Sequence, residues 1–131
     1  MGSFSDYWEN TILDHIFGKG SYTPPTIYVG LSTADPADDG SGLAEPSGNA
    51  YARVQTSDSD WNAASNGSLD NAGKITFAQA TGNWGTITHF ALFDSATAGN
   101  MLVHGALSQS KAIGESDTAG FETGDLDISL D

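Results

Sequence analysis

Large apolar residues stand four apart at the start of the chain: Phe4, Trp8, Ile12 and Ile16, with Leu13 and Phe17 beside them. That spacing lays one apolar stripe along an α-helix and predicts a helix over residues 3–17. Ser3 followed by Asp6 is an N-terminal capping pattern. Asp6 and Glu9 put negative charge in the early turns, and His15 and Lys19 put positive charge late, as the helix dipole favours. Gly18 is a natural stop, and Pro24-Pro25 forbids continuation. The stripe is expected to face a core. The bulk of Phe4, Tyr7 and Trp8 also makes these three the candidates for a subunit interface.

From residue 26 the period drops to two. Residues 26–31 put Ile27, Val29 and Leu31 on one face. Residues 50–56 set Ala50, Ala52 and Val54 against Tyr51, Arg53 and Gln55, and Lys74–Phe77 turns Ile75 and Phe77 inward. Residues 86–93 are the most apolar, with Ile87, Ala91 and Phe93 on one side and Phe90 and Leu92 on the other, which suits a central strand. Residues 94–100 read as a hairpin loop with a returning strand at 101–107. Short strands are expected at 110–113 and 118–121. At the end, Asp125, Asp127, Ser129 and Asp131 alternate with Leu126, Ile128 and Leu130, a half-buried strand with a carboxylate edge toward water.

Between these runs lie turn residues. Residues 32–49 hold Asp35-Pro36, Asp38-Asp39-Gly40, Gly42, Pro46 and Gly48-Asn49 and have no period. A loop of that length in a small domain is usually functional or mobile. Residues 57–72 are turn-rich, with Trp61 their one large anchor. The whole predicts a mainly β chain: an antiparallel β-sandwich or jelly-roll-like barrel of about seven or eight short strands with one N-terminal α-helix. It reads as a single domain over 1–131, with the sandwich spanning 26–131 and the long loop 32–49.

Charge narrows the function. Four basic residues against 17 acidic ones give a net charge of −13, which repels nucleic acid and anionic membrane surfaces alike. There is no Cys, hence no disulfide and no thiolate chemistry. No apolar run approaches the ~18 residues of a membrane span. The start, with Asp6, Glu9 and Asp14, lacks the pattern of a signal peptide, so synthesis in the cytoplasm is expected.

Candidate chemistry is sparse. Ser32 follows Gly30-Leu31, but Ala34 stands where a nucleophile elbow needs its second Gly. His89 and His104 fall on the two arms of the expected hairpin. Two histidines with a carboxylate suit a metal, the basis for a metal-dependent hydrolase as a third reading; a cross-strand polar pair is the plainer one. Asp35, Asp38, Asp39 and Glu45 suggest an irregular calcium site, although Ala37 and Pro46 stand where an EF-hand loop needs ligands. Asn66-Gly67-Ser68 matches a glycosylation sequon, but Asn-Gly is also simply a turn. Tyr51, Trp61 and Trp84 are candidates for an aromatic platform facing a sugar or a protein; packing across a sandwich edge is the alternative. No catalytic residue, resident metal or cofactor is assigned, and the chain is not expected to be an enzyme.

Taken together, several blocks resemble a small virion-protein family of tailed bacteriophages. They are Ser3-Phe4-Ser5-Asp6-Tyr7-Trp8-Glu9-Asn10, Thr26 through Pro36, Gly42-Leu43-Ala44-Glu45-Pro46, Tyr51-Ala52-Arg53-Val54, Trp84 through Asp94, and Gly105-Ala106-Leu107. Members are commonly described as phage tail fibre proteins, and at this size the resemblance also suits capsid decoration (cement) proteins. It implies no catalytic residues. It implies a structural protein located in the virion, partnered by the major capsid protein lattice, by copies of itself as a homo-oligomer, or by both. The absence of shaft repeats favours decoration of the head exterior over a tail fibre or tail-tip component touching host glycans.

Overall fold

A computed structural model describes residues 2–130. The fold is mainly β, a curled seven-stranded half-barrel closed by a small second sheet, with one N-terminal helix. The large sheet comprises β1 (Gly2–Phe4), β2 (Tyr28–Ser32), β3 (Val54–Gln55), β4 (Ser68–Asp70), β6 (Gly85–Phe93), β7 (Met101–Ile113) and β9 (Asp127–Ser129), in the order β3-β2-β6-β7-β1-β9-β4. The small sheet pairs β5 (Ile75–Thr76) with β8 (Gly120–Phe121). Every pairing is antiparallel except β1 with β9, which is parallel at Gly2 and Ile128.

The expected hairpin forms the spine: β6 and β7 flank the 94–100 turn, and β2 lies on the far side of β6. Its facing differs from the alternation predicted. Ile87 pairs with Lys111 and His89 with Ala106, so Thr88 alone opposes the four residues Leu107–Ser110. A bulge of this kind breaks the period of two. Ile87, Phe90 and Leu92 consequently share the main core, while Ala91 and Phe93 join Met101 in a smaller cluster on the other face. A second irregularity sets Leu92 against Val103 and Phe93 against Met101, and Leu102 and Val103 both enter the main core.

The main core lies between this sheet and the small one. Val29, Leu31, Ile75, Phe77, Trp84, Ile87, Phe90, Leu126 and Ile128 are all buried in it. Each such side chain contributes about 1.5–3 kcal/mol on leaving water. In the closing strand, Leu126 and Ile128 point inward as the alternation predicts, whereas Leu130 is exposed and Asp131 lies outside the described residues. The segment 50–56 is regular only at Val54–Gln55, because Asn49 and Ala50 take left-handed backbone angles and turn the chain before it.

The helix, α1 (Asp6–Ile16), starts later than predicted. Ser3 and Phe4 belong to β1, held by Val103 and His104 of β7. The cap is Ser5: its Oγ accepts the Trp8 N–H at 3.3 Å and donates to the Met101 carbonyl, and its N–H donates to Leu102 O at 2.7 Å. A sheet bond thus fixes where the helix begins, which no local capping pattern can show. Gly18, at φ +73°, ends it as expected. The stripe is not the core face expected: α1 has no buried residue. Phe4 and Trp8 pack on the core, with ring centroids 4.5 Å apart, but Leu13, Ile16 and Phe17 stand free.

Candidate functional site

The expected aromatic platform divides. Tyr51 and Trp84 do come together, edge to face at 5.3 Å, with Phe77 behind them. Trp84 is only 4% exposed, and its Nε1 donates to Asn49 O at 2.8 Å, so it offers no ring face to a partner. Trp61 lies elsewhere, packed on the core and donating from Nε1 to Thr56 Oγ1 at 3.0 Å.

Tyr51 is instead part of a latch that residue-by-residue reading missed. Its hydroxyl accepts the Leu31 N–H at 2.9 Å, at a point where β3 has ended and β2 lacks a neighbour on that side, and donates to Glu45 Oε2 at 2.6 Å. Burial first, and then that bond to Glu45, hold the Tyr51 hydroxyl well above the ordinary tyrosine range. Arg53 closes the latch with a two-pronged pair on Glu45, Nε at 3.0 Å and Nη2 at 2.6 Å. Its Nη1 donates to Ser95 O and Ala98 O at 2.8 and 2.9 Å, and the guanidinium lies 3.4 Å over the Phe93 ring. One side chain, 5% exposed, therefore ties the long loop and the β6–β7 turn to the sheet. The available signal was that Arg53 is the only arginine of the chain and falls in a segment whose alternation predicts a strand.

The acidic loop and the histidines make other partnerships. Asp35 Oδ1 accepts the Ala37 N–H, and Asp39 Oδ1 accepts the Ser41 N–H, each at 2.9 Å. The Ser41 contacts hold the Asp39 carboxyl below its ordinary value. Asp38 bonds His104 Nε2 at 2.7 Å, with Asp35 4.0 Å from its Nδ1. Glu45 belongs to the latch. His89 turns to Thr88 Oγ1 at 2.8 Å, away from His104. Among the described residues no three His, Asp or Glu side chains stand close enough to hold a metal ion. The carboxylates proposed for calcium act as turn acceptors and ion-pair partners.

The surface that stands out is the end of α1. Leu13, Ile16 and Phe17 are 54%, 67% and 73% exposed, in a row that a soluble monomer would normally cover. Tyr7 is 39% exposed on the same helix. Of the three interface candidates, Phe4 and Trp8 are half-buried and stacked, while Tyr7 is open to solvent.

A family model described as "Podophage GP4 fiber I protein gp80" matches residues 3–129. The chain belongs to that family. No curated protein matches it. The fiber I match runs from β1 into β9 and takes in both the latch and α1, so the family relation covers the whole architecture. Membership makes this a structural component of a phage virion. As a fiber I family member, it presents a seven-stranded sheet, a latched loop and one exposed apolar helix end. No helix among the described residues is long and apolar enough to cross a membrane.

Proposed function

We propose that this protein is a non-catalytic assembly subunit on the virion exterior, docking through the C-terminal end of α1 onto another virion protein as part of a fibre. The observation that carries the reading is the row Leu13, Ile16 and Phe17, three large apolar side chains exposed together at one helix end; Leu130 is the other large aliphatic side chain exposed among the described residues. Exposed apolar area of this kind costs solubility unless a partner covers it. Glu9 and Asp14 flank the row, and the chain is strongly acidic, so a partner with a neutral or basic rim fits best. The commitment of the histidines and acidic-loop carboxylates to internal bonds supports a structural role over metal-dependent hydrolysis. Synthesis in the host cytoplasm and a small homo-oligomer accord with this reading.

A second reading, decoration of the head exterior on the major capsid protein lattice, is favoured by the compact shape with no shaft among the described residues. Many weak copies would hold there through mass action and multivalency. Imaging of intact particles distinguishes the two: fibre density at a few copies supports the first, and stoichiometry with the capsid protein supports the second. For docking itself, Ile16→Glu or Phe17→Ser should leave the melting temperature of the purified protein unchanged and remove it from particles. Normal incorporation of both variants would refute docking through α1.

A further inference from the structure

The hydrogen bonds divide the chain at a short hinge. Residues 18–22, which lie outside every strand, bond only to α1. The Lys19 and Gly20 N–H groups donate to Asp14 O at 2.7 and 3.2 Å, and the Tyr22 N–H donates to His15 Nδ1 at 3.1 Å. The Tyr22 hydroxyl accepts from Trp8 Nε1 at 3.1 Å. β1, α1 and this returning segment therefore form one arm, residues 2–22. The body of the protein begins at Ile27, whose carbonyl accepts from the Thr56 N–H and Oγ1 at 2.9 and 2.8 Å. Between arm and body, Thr23-Pro24-Pro25-Thr26 makes no hydrogen bond among the described residues.

The arm holds the body at its front end only. β1 pairs with β7 over Gly2–Phe4 and with β9 at Gly2, Ser5 bonds Met101 O and Leu102 O, and the Asp6 N–H donates to Asp38 O at 3.0 Å. Phe4 and Trp8 pack on the core. In the large sheet β1 alone joins β9 and β4 to the spine, so the place it fills has to be filled. That place is shaped for this strand: a Cβ on Gly2 would stand 2.6 Å from the Phe90 ring and 2.9 Å from Val103 Cγ1. The hinge is stiff, because each proline fixes its own φ at about −65° and holds the residue before it extended.

We propose that two copies of this chain exchange arms, each laying its residues 2–22 on the body of the other, with β1 entering between the other copy's β7 and β9. Every bond between arm and body is kept and simply runs between copies, so exchange costs little beyond association itself. An extended Pro-Pro hinge favours an arm that carries straight on over one that folds back. The like charge of two copies opposes the pair, and added salt favours it. The row Leu13, Ile16 and Phe17 travels on the arm, where another virion protein can still meet it. Exchange thus goes beyond docking through α1, and leans on the assembly reading only in taking the particle as the place where copies gather.

The chain has no Cys, so an engineered pair reports on one contact alone. Ser3 and His104 are register partners across β1 and β7. Antiparallel partners stand about 4.5–5.5 Å apart at Cα, within reach of a disulfide. Ser3→Cys with His104→Cys is oxidised in intact particles and run on a denaturing gel without reductant. The band at the mass of one chain should be lost to a band at twice that mass. A bridge closed within one chain, or thiols left free, would overturn exchange and leave the assembly role standing. Particles without the chain would overturn the assembly role, and the same gel on the concentrated purified protein would then decide exchange. If the variant fails to fold, wild-type chains with and without heavy isotope decide. Exchanged pairs should trade partners no faster than the chain unfolds, because β1 has to leave the sheet first. Partner mixing faster than unfolding, or a wild-type chain that stays monomeric when concentrated and when released from particles, would overturn the proposal.

Discussion

Removing Arg53 is the most informative single perturbation of this fold. The side chain is 5% exposed and its partner Glu45 20% exposed, and the two share bonds at 2.6 and 3.0 Å. Breaking a buried ion pair by deleting one partner costs about 3–5 kcal/mol, chiefly because the surviving charge is left without compensation. Glu45 retains some water and the Tyr51 hydroxyl, which places Arg53→Ala at the low end, about 3 kcal/mol. The Ser95 and Ala98 carbonyls lie near solvent and recover water, so they add little. Arg53→Lys should recover only part of the loss, since a point charge cannot reproduce the fork that bridges Glu45 and two carbonyls. The double variant Arg53→Met with Glu45→Leu should lose less than Arg53→Ala, because no orphan charge remains. Urea denaturation of the four proteins at neutral pH gives each midpoint and slope. Arg53→Ala within about 0.5 kcal/mol of wild type would refute the latch, because that is the range of an ordinary surface substitution.

Along α1, Trp8→Ala should cost about 2 kcal/mol and Ile16→Ala under about 0.5 in the purified protein; equal losses by calorimetry would mean the helix end is covered. A Cβ on Gly30 would stand 2.9 Å from the Phe93 ring and 3.0 Å from the Tyr51 hydroxyl. Gly30→Ala should therefore destabilise by about 1–3 kcal/mol, and an unchanged midpoint would count against close packing there. The Tyr51 hydroxyl keeps a proton in the folded state that the unfolded chain releases near its ordinary value of 10.0. Its contribution is whole below about pH 10 and is lost as pH rises above it. Tyr51→Phe should flatten the alkaline fall in melting temperature without abolishing it, because burial raises Tyr22 as well; an identical fall would refute the assignment.

Much of the fold was legible because its signals are local. A four-residue step marked α1, Gly18 marked its end, alternation marked β2 and the closing strand, and an apolar run and a turn at 94–100 marked the β6–β7 hairpin. What failed depended on partners far away in sequence. The facing of β6 hinges on Thr88, where a bulge against Leu107–Ser110 resets the alternation, and no residue type announces it. The helix stripe revealed that α1 has an apolar face, but whether the chain covers that face is decided by where the sheet lies. The turn character of residues 35–40 was readable, and Asp35 and Asp39 do sit in turns, each accepting the backbone N–H two residues on. The latch was hidden because Glu45, Tyr51, Arg53 and Phe93 come together only once β2, β3 and β6 are side by side.

The charge distribution carries a further consequence. Arg53 and Glu45 neutralise each other inside, which leaves sixteen carboxylates against three lysines elsewhere, with Lys74 paired to Glu122 at 3.1 Å. The exterior is thus almost uniformly negative, and self-repulsion opposes the folded state. Raising salt from about 0.01 M to about 0.1 M shortens the screening length from ~30 Å to ~10 Å, which weakens repulsion across the molecule far more than contacts within the buried latch. The melting temperature should therefore rise, with each 1 kcal/mol of relief worth about 4 °C in a chain of this size. Arg53→Ala should show a similar rise, because its lost contact was never screened. A melting temperature that fell with salt would mean that short-range surface pairs outweigh the net charge. The same repulsion bears on assembly: the exposed helix end is better matched to a surface of lower negative charge.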